Sequence, residues 1–236
     1  MKMSAPIYSN PIVPPGVKPI IFVLTLADET TQNNFQSSHA RLLNEFFERA
    51  TIRHANTAEK AFSLFTQCSQ PHAVFIADGG IARPNSEIIN QRLTVYAACG
   101  GIVLFGGLFA ASRVDDLKKT FKQTWDLPWE PGSFHRTTLS LNEGAITSTL
   151  KPGLLTSYSQ KALHLYGVQK NESWYLPSQD SVIEEWVPRP GPITDFSESP
   201  IIYACYGSGH VGFIGDTDAE EGTVLCILAM LGILIR

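Results

Sequence analysis

Apolar runs alternate with amphipathic segments along the first 110 residues of the chain. The runs PIIFVLTLADE, HAVFIADGG and GGIVLFGG are apolar at almost every central position, which is typical of strands buried on both faces of a parallel sheet. The segments between them place apolar residues three and four positions apart, which predicts helices over residues 37–50, 57–68 and 86–99. With the short strand TIRHA, this alternation predicts an α/β fold, a flavodoxin-like open and mostly parallel sheet with helices on both faces.

The alternation stops in the second half of the chain. Residues 125–200 hold four tryptophans, several prolines and short strand-like pieces, so we predict a β-rich insertion or flank there. Residues 199–216 are predicted to form two strands with a glycine-containing turn at Gly207-Ser208-Gly209, followed by an apolar helix from about residue 220. We predict one α/β domain over residues 19–236, preceded by an extended or disordered arm over residues 1–18.

Composition narrows the class of protein. The chain is 44% hydrophobic and 17% charged, so it can fill a core without metals or disulfides. Its net charge of −4 gives no electrostatic basis for binding nucleic acid. Its four cysteines lie far apart and form no CxxC pair, which favours free thiols over a zinc site and predicts a cytoplasmic protein.

One apolar segment near the end of the chain, TVLCILAMLGILI, resembles a membrane span in composition. It is shorter than the ~20 residues that a bilayer requires, so we predict no membrane association. A buried helix or a homodimer interface explains such a segment better.

Ligands of open parallel α/β sheets bind outside the carboxyl ends of the strands. The candidate site residues in the loops at that edge are Asp28, Glu29, Asp78, Gly79, Gly106, Gly107 and Asp216. A buried strand does not require a carboxylate at its end, so these acids are candidates for function. Capping of turns and helix N-termini is the alternative role for Asp78 and Asp216.

The glycine pairs in two of these loops could bring backbone N–H groups close to an anion. Neither pair fits a GxGxxG pattern or a P-loop, so we predict no nucleotide cofactor and no other cofactor. We predict no metal, although a loose site for a hard cation at Asp28, Asp78 and Asp216 stays an alternative.

One further polar pair, His135 and Arg136, lies in the β-rich segment. Histidine can donate or accept a proton near neutral pH, and arginine can bind a carboxylate or a phosphate. If the segment folds over the strand ends, both side chains face Asp28, Glu29 and Asp78. The alternative is that His135 packs among tryptophans and Arg136 pairs with a surface acid.

Cys99, in the stretch ACGGIVLFGG, is predicted to be a structural residue. It precedes the strand, and a rise of ~3.3 Å per residue puts it about 20 Å from Gly106. A nucleophile in this architecture belongs after the strand, in the tight turn towards the next helix.

The order of elements and the phrases YAACGGIVLFGGLFAAS and GFIGDTDAE resemble the class I glutamine amidotransferase-like superfamily, and within it the ThuA-type members. The phrases ADGGI, LPWEPGSFHRTT and SYSQKALHL are similar to fungal amidotransferase-like proteins of uncharacterised function. The resemblance covers most of the chain from about residue 19 and implies the same fold.

The catalytic Cys-His-Glu triad of that superfamily is missing from this sequence. Amidotransferases place a cysteine in the turn after the central strand, where this chain has Gly106-Gly107-Leu108-Phe109 and no hydroxyl before Ser112. They also carry a histidine after the last strand, where this chain reads FIGDTD. Because attack by a thiolate needs both a nucleophile and a base, the resemblance implies a protein that does not hydrolyse glutamine.

Two functions therefore stay open. The first is a non-catalytic module that binds a small-molecule ligand or assembles, with the last helix at a homodimer interface. The alternative is a cysteine-independent hydrolase, lyase or isomerase that acts on a small polar or carbonyl-containing metabolite. In that enzyme Asp78 or Glu29 would be the general base, His135 the proton donor, and Arg136 the anion clamp.

Overall fold

The computed structural model describes residues 16–68, 70–184, 191–193 and 195–234. The predicted N-terminal arm therefore lies almost entirely outside the described residues. The strands are β1 Ile20–Leu24, β2 Thr51–Ala55, β3 Ala73–Ile76, β4 Ile102–Phe105, β5 Glu130–Leu141, β6 Ser157–Tyr166, β7 Tyr175–Pro177, β8 Ile201–Tyr206 and β9 Gly209–Ile214. The α-helices are α1 Glu29–Ser38, α2 Ala40–Arg49, α3 Ala58–Gln67, α4 Glu87–Ala98, α5 Val114–Lys118 and α6 Glu221–Met230.

The larger sheet has the strand order β2-β1-β3-β4-β9-β8 in the part of the chain that the structure describes. Every neighbouring pair is parallel except β8 and β9, which form an antiparallel hairpin at one edge. The predicted fold class is confirmed: the sheet is open and mostly parallel. The carboxyl ends of its five parallel strands lie at one edge, where a ligand site is expected.

Side chains of the central strands point alternately to the two faces of this sheet and build one core on each. Ile21 and Val23 pack with residues of α1, α2 and α6. Phe22 and Leu24 pack with residues of α3 and α4 on the other face. Helices thus cover both faces, which explains why these strands are apolar at consecutive positions.

A second, three-stranded antiparallel sheet with the order β6-β5-β7 forms the β-rich flank. It joins the larger sheet at the carboxyl end of β9, where the Leu163 N–H donates to the Gly215 carbonyl at 3.0 Å. Ala162 also bridges to Asp216. The flank therefore lies against the edge that carries the predicted site. The domain boundaries predicted from the sequence stay a prediction.

The helix predicted over residues 37–50 begins later in the structure, at Ala40, and a separate helix over Glu29–Ser38 precedes it. The chain forms two helices there, α1 and α2, which meet at His39. Helix α1 has the sequence ETTQNNFQSS and buries only Phe35, so it carries almost no apolar periodicity that a sequence pattern could detect.

Helix α6 is buried within its own chain. Its residues from Cys226 to Met230 are each at most 4% exposed, and Tyr158 and Leu150 pack against the same core. The predicted homodimer through this helix stays a prediction, but the apolar surface that motivated it is already covered by the chain itself. Among the described residues, no helix has the length and apolar character needed to cross a membrane.

Replacement of Gly215 by alanine tests the junction between the two sheets. A Cβ at this position would overlap the backbone oxygen of Leu163, which cannot move without breaking the bridge. We expect Gly215→Ala to lower the free energy of unfolding by about 1–3 kcal/mol in urea denaturation. Gly144→Ala is the matched control, because its Cβ would lie 3.6 Å from its nearest neighbour. Equal stability of the two variants would contradict a tight junction.

Candidate functional site

Asp78 follows β3 at the carboxyl edge and is 1% exposed. Its Oδ1 accepts hydrogen bonds from the backbone N–H groups of Leu26 and Ala27, each at 3.0 Å, and of Gly80 at 2.9 Å. Its Oδ2 is buried without a hydrogen-bond partner in the described part of the chain. Burial raises the pKa of this carboxyl, although the three N–H donors act in the opposite direction. Asp78 ties the loop after β1 to the loop after β3, which is the capping role.

Asp28 and Glu29 begin helix α1 on the surface. Asp28 is the N-cap and accepts a hydrogen bond from the Thr31 N–H at 3.0 Å, which lowers the pKa of its carboxyl. Its Oδ2 forms an ion pair with Arg83 at 3.2 Å. Both partners are about half exposed, so this pair contributes little to stability. Glu29 is an exposed residue of the first helical turn.

The turn after β4 leaves no room for a side chain at the position where a nucleophile would stand. Gly107 has φ +59°, a left-handed conformation that glycine adopts readily. A Cβ there would lie 2.8 Å from Cε2 of Phe35 and 3.1 Å from the Ala77 carbonyl oxygen. At Gly106, a Cβ would lie 2.9 Å from the Phe75 ring. Two buried phenylalanines therefore fill the space in front of both glycines.

Gly79 and Gly80 are also sites of close packing. A Cβ on Gly79 would overlap Ser112 Oγ, and a Cβ on Gly80 would overlap the backbone of Leu26 and Ala27. The Gly80 N–H is already bonded to Asp78, so this pair does not present two open donors to an anion.

Asp216 and Arg136 come together at the loop after β9. Asp216 is 1% exposed, and its two oxygens accept the N–H groups of Asp218 at 2.8 Å and Glu220 at 3.0 Å. Burial raises the pKa of this carboxyl. Arg136, on β5, forms ion pairs with Glu220 at 2.8 Å and Asp218 at 3.5 Å. Asp216 thus caps the loop, and Arg136 pairs with surface acids.

His135 lies in the second sheet, where its ring stacks on that of His164. The ring centroids are 4.3 Å apart and the planes differ by 7°. Burial, reinforced by the neighbouring His135, lowers the pKa of His164 to about 4, so His164 is neutral near pH 7. The register of β5 against β6 shifts between Pro131 and Phe134, next to His135 in the chain. The ring that stacks on His135 is therefore that of a histidine, and not of a tryptophan as the alternative prediction had it.

Asp28 and Glu29 begin α1 on the surface, and the other predicted polar residues form three separate groups. Asp78 joins two loops through backbone N–H groups, Asp216 and Arg136 hold a third loop, and His135 belongs to the flank. Asp78 makes no hydrogen bond to His135, because Oδ1 bonds only to backbone groups and Oδ2 has no partner among the described residues. The described residues also contain no group of three or more His, Cys, Asp or Glu side chains that could hold a metal ion.

A polar cavity that the sequence analysis missed opens beside the loop after β3. Its volume is about 370 Å³, and its lining residues are Ala82, Arg83, Glu87, Asn90, Gln91, Lys119, Gln123 and Thr124. Three of them belong to a π-helical segment, Lys119–Thr124, that follows α5. Such segments are frequent at functional sites. Nothing in the sequence KKTFKQT distinguishes a π-helical turn from a solvated α-helix, so no sequence signal marked this cavity.

Substitution of Asp78 tests its structural role. Asp78→Ala leaves three buried N–H groups without an acceptor, so we expect a loss of about 3 kcal/mol or more in the free energy of unfolding. Asp78→Asn keeps an acceptor at Oδ1 and removes the buried charge, so it should lose less than half as much. Urea denaturation at pH 7 measures both; equal losses would contradict the capping role.

The pH dependence of this comparison has a defined sign. Because the folded pKa of Asp78 is raised above 3.8, the unfolded chain releases this proton first. Wild type should therefore lose stability relative to Asp78→Asn as the pH rises above 3.8, and the difference should level off above the raised pKa. If wild type instead gains stability relative to Asp78→Asn over this pH range, the three N–H donors lower the pKa of Asp78 by more than desolvation raises it.

Among the comparisons with known proteins, the comparison of structures gives matches and the comparisons of sequence do not. No family model matches the chain, and no curated protein matches it in sequence. The structure is similar to that of a ThuA-like protein from Bacteroides uniformis, with a TM-score of 0.55, 9% identity, and coverage of 91% of each chain. It is similar to a second ThuA-like protein, from Parabacteroides merdae, with a TM-score of 0.55 and 11% identity over 93% of this chain and 92% of that one.

A β-galactosidase from Bacillus circulans sp. alkalophilus contains the same arrangement as part of a longer protein. The TM-score is 0.52 at 10% identity, over 91% of this chain and 30% of the enzyme. Likeness at such low identity shows the fold alone. The chain has the fold of ThuA-like proteins, and at the level of the fold the resemblance found in its sequence is confirmed.

Proposed function

We propose that this chain is a non-catalytic, ligand-binding protein of ThuA-like fold that does not hydrolyse glutamine. The observation that carries the proposal is the turn after β4. Gly107 supplies no nucleophile, and Phe35 and the Ala77 carbonyl occupy the space into which one would project. Phe35 is 1% exposed and packs against Phe75 and His39, so it cannot move aside without opening the core.

The acids at the strand ends support the same proposal. Asp78 and Asp216 are buried, and both bind backbone N–H groups that would otherwise be unsatisfied. A general base must reach the proton that it abstracts. Asp78 reaches no substrate-accessible position through Oδ1, whose three bonds hold two loops together. These contacts favour a structural role for both acids over the cysteine-independent enzyme.

A glutaminase assay on the full chain tests the part of the proposal that says the protein does not hydrolyse glutamine. We expect no glutamate above the protein-free blank when wild type is incubated with glutamine. Protein-dependent glutamate formation would overturn the proposal.

Gly107→Cys extends that test to the turn itself. The introduced thiol would stand where amidotransferases of this superfamily carry theirs, but its Cβ would contact Phe35 and its backbone would keep φ +59°. We expect no glutaminase activity and a loss of about 1–3 kcal/mol in the free energy of unfolding. Gly144→Cys is the control for introducing a thiol at a glycine with space around it. Unchanged stability of Gly107→Cys would show that the turn is open.

A further inference from the structure

The flank is attached to the larger sheet along one edge of β6. The Leu163 N–H donates to the Gly215 carbonyl at 3.0 Å, and Leu165 exchanges two hydrogen bonds with Ser199, at 2.9 and 3.0 Å. Both leucines are buried in the core that they share with β4 and β9. The residue between them, His164, therefore lies within the segment that holds the flank in place.

The His164 ring is buried against a second imidazole. It is 2% exposed, and it stacks on the His135 ring of β5 with the centroids 4.3 Å apart and the planes almost parallel. Nδ1 of His164 lies 3.1 Å from the Ala162 carbonyl oxygen. Because that oxygen can only accept, Nδ1 carries the proton of the neutral ring. A second proton must enter at Nε2, which is buried and makes no hydrogen bond in the described part of the chain.

Two titratable side chains of the described residues act on the His164 ring. His135, on β5, opposes a positive charge there, whereas Glu198, in the segment before β8, favours one. The Glu198 carboxylate already accepts the Ser133 N–H at 3.1 Å and the Ser133 hydroxyl. In the loop after β9, the Asp216 carboxylate accepts N–H groups of its own loop. Burial, together with His135, outweighs Glu198 and lowers the pKa of His164 to about 4.

Acid favours a state of the chain in which the His164 ring is exposed to solvent. An exposed ring binds its proton with a pKa of 6.5, whereas the stacked ring stays neutral down to about pH 4. The stabilisation that comes from the neutral ring is therefore complete above pH 6.5 and is lost as the pH falls towards about 4. For this ring alone, the equilibrium constant for opening rises by about 20-fold between pH 7 and pH 5.

We propose that the stacked His135–His164 pair is an acid-sensitive latch between the flank and the larger sheet. A proton on His164 separates β6 from Gly215 and Ser199, while the parallel strands of the larger sheet stay paired. The separation uncovers the loop after β9 and so controls access to the carboxyl edge of the sheet. The latch concerns the flank and does not rest on the proposed ligand-binding function.

Amide hydrogen exchange, measured by NMR on the full chain from pH 7 to pH 5, tests the latch. The probes are the N–H groups of Leu163 and Leu165. The reference is the Gly106 N–H, which donates to the Ile76 carbonyl at 3.0 Å within the larger sheet. After correction for intrinsic exchange rates, we expect the opening constants of both leucines to rise by about 20-fold. At pH 5 they should exceed the opening constant of Gly106 by about tenfold or more.

Two substitutions of His164 remove its titration. Neither His164→Gln nor His164→Phe can gain a proton, and the phenylalanine ring can still stack on His135. In both variants the opening constants of Leu163 and Leu165 should change by less than about twofold over this pH range. His39→Gln is the matched control, because His39 is 1% exposed and burial also lowers its pKa to about 4, but it lies where α1 meets α2. This control should keep the rise of about 20-fold.

Each of three results would overturn the latch. The first is an opening constant at Leu163 and Leu165 that does not rise in acid. The second is the same opening constant at these leucines and at Gly106, because the whole fold then opens as one unit. The third is a rise that persists in both His164 variants or that His39→Gln abolishes, because another group then controls the opening.

Discussion

The carboxyl edge of the sheet depends on one oxygen atom, Oδ1 of Asp78. It accepts N–H groups from Leu26 and Ala27 on one loop and from Gly80 on the next. Gly80 packs so closely on the Leu26 backbone that no larger residue fits. This contact fixes the start of the loop that leads through Arg83 to α4, and therefore one wall of the polar cavity. Desolvation of the carboxylate opposes this arrangement, as the raised pKa shows, but without the carboxylate three buried donors would be unsatisfied.

Packing at the same edge also fills the turn after β4. The turn after β4 keeps the left-handed residue that a tight strand-to-helix turn requires. Helix α1, however, directs Phe35 into the space in front of that residue. A side chain introduced at Gly107 would therefore have to displace a ring that belongs to the core on one face of the sheet. The lack of space for a side chain in this turn thus depends on two elements that are far apart in sequence.

Some secondary-structure elements of this protein are predictable from its sequence, and others are not. Strands such as β1 and β4 are predictable because burial on both faces requires apolar residues at consecutive positions. Helix α1 is not, because Phe35 is its one buried residue, and the π-helical turn at Lys119–Thr124 leaves no distinguishing pattern. The sequence places Asp78 and Asp216 at strand ends correctly, yet it cannot say whether backbone N–H groups occupy their oxygens. That outcome depends on loop geometry, which apolar periodicity does not encode.

A count of hydrogen-bonding capacity shows which polar atoms of this protein the fold has already used. Asp78 and Asp216 are conspicuous in the sequence, but backbone donors consume the oxygens that hold their loops. Asn90 is inconspicuous, a single amide in helix α4, yet its Oδ1 is buried and has no partner in the part of the chain that the structure describes. A ligand gains most where protein groups are desolvated already and still lack partners, because it then supplies bonds whose desolvation cost has been met during folding. Asp78 Oδ2 and Asn90 Oδ1 are both buried and without a partner among the described residues, so this criterion applies to the strand end and to helix α4 alike.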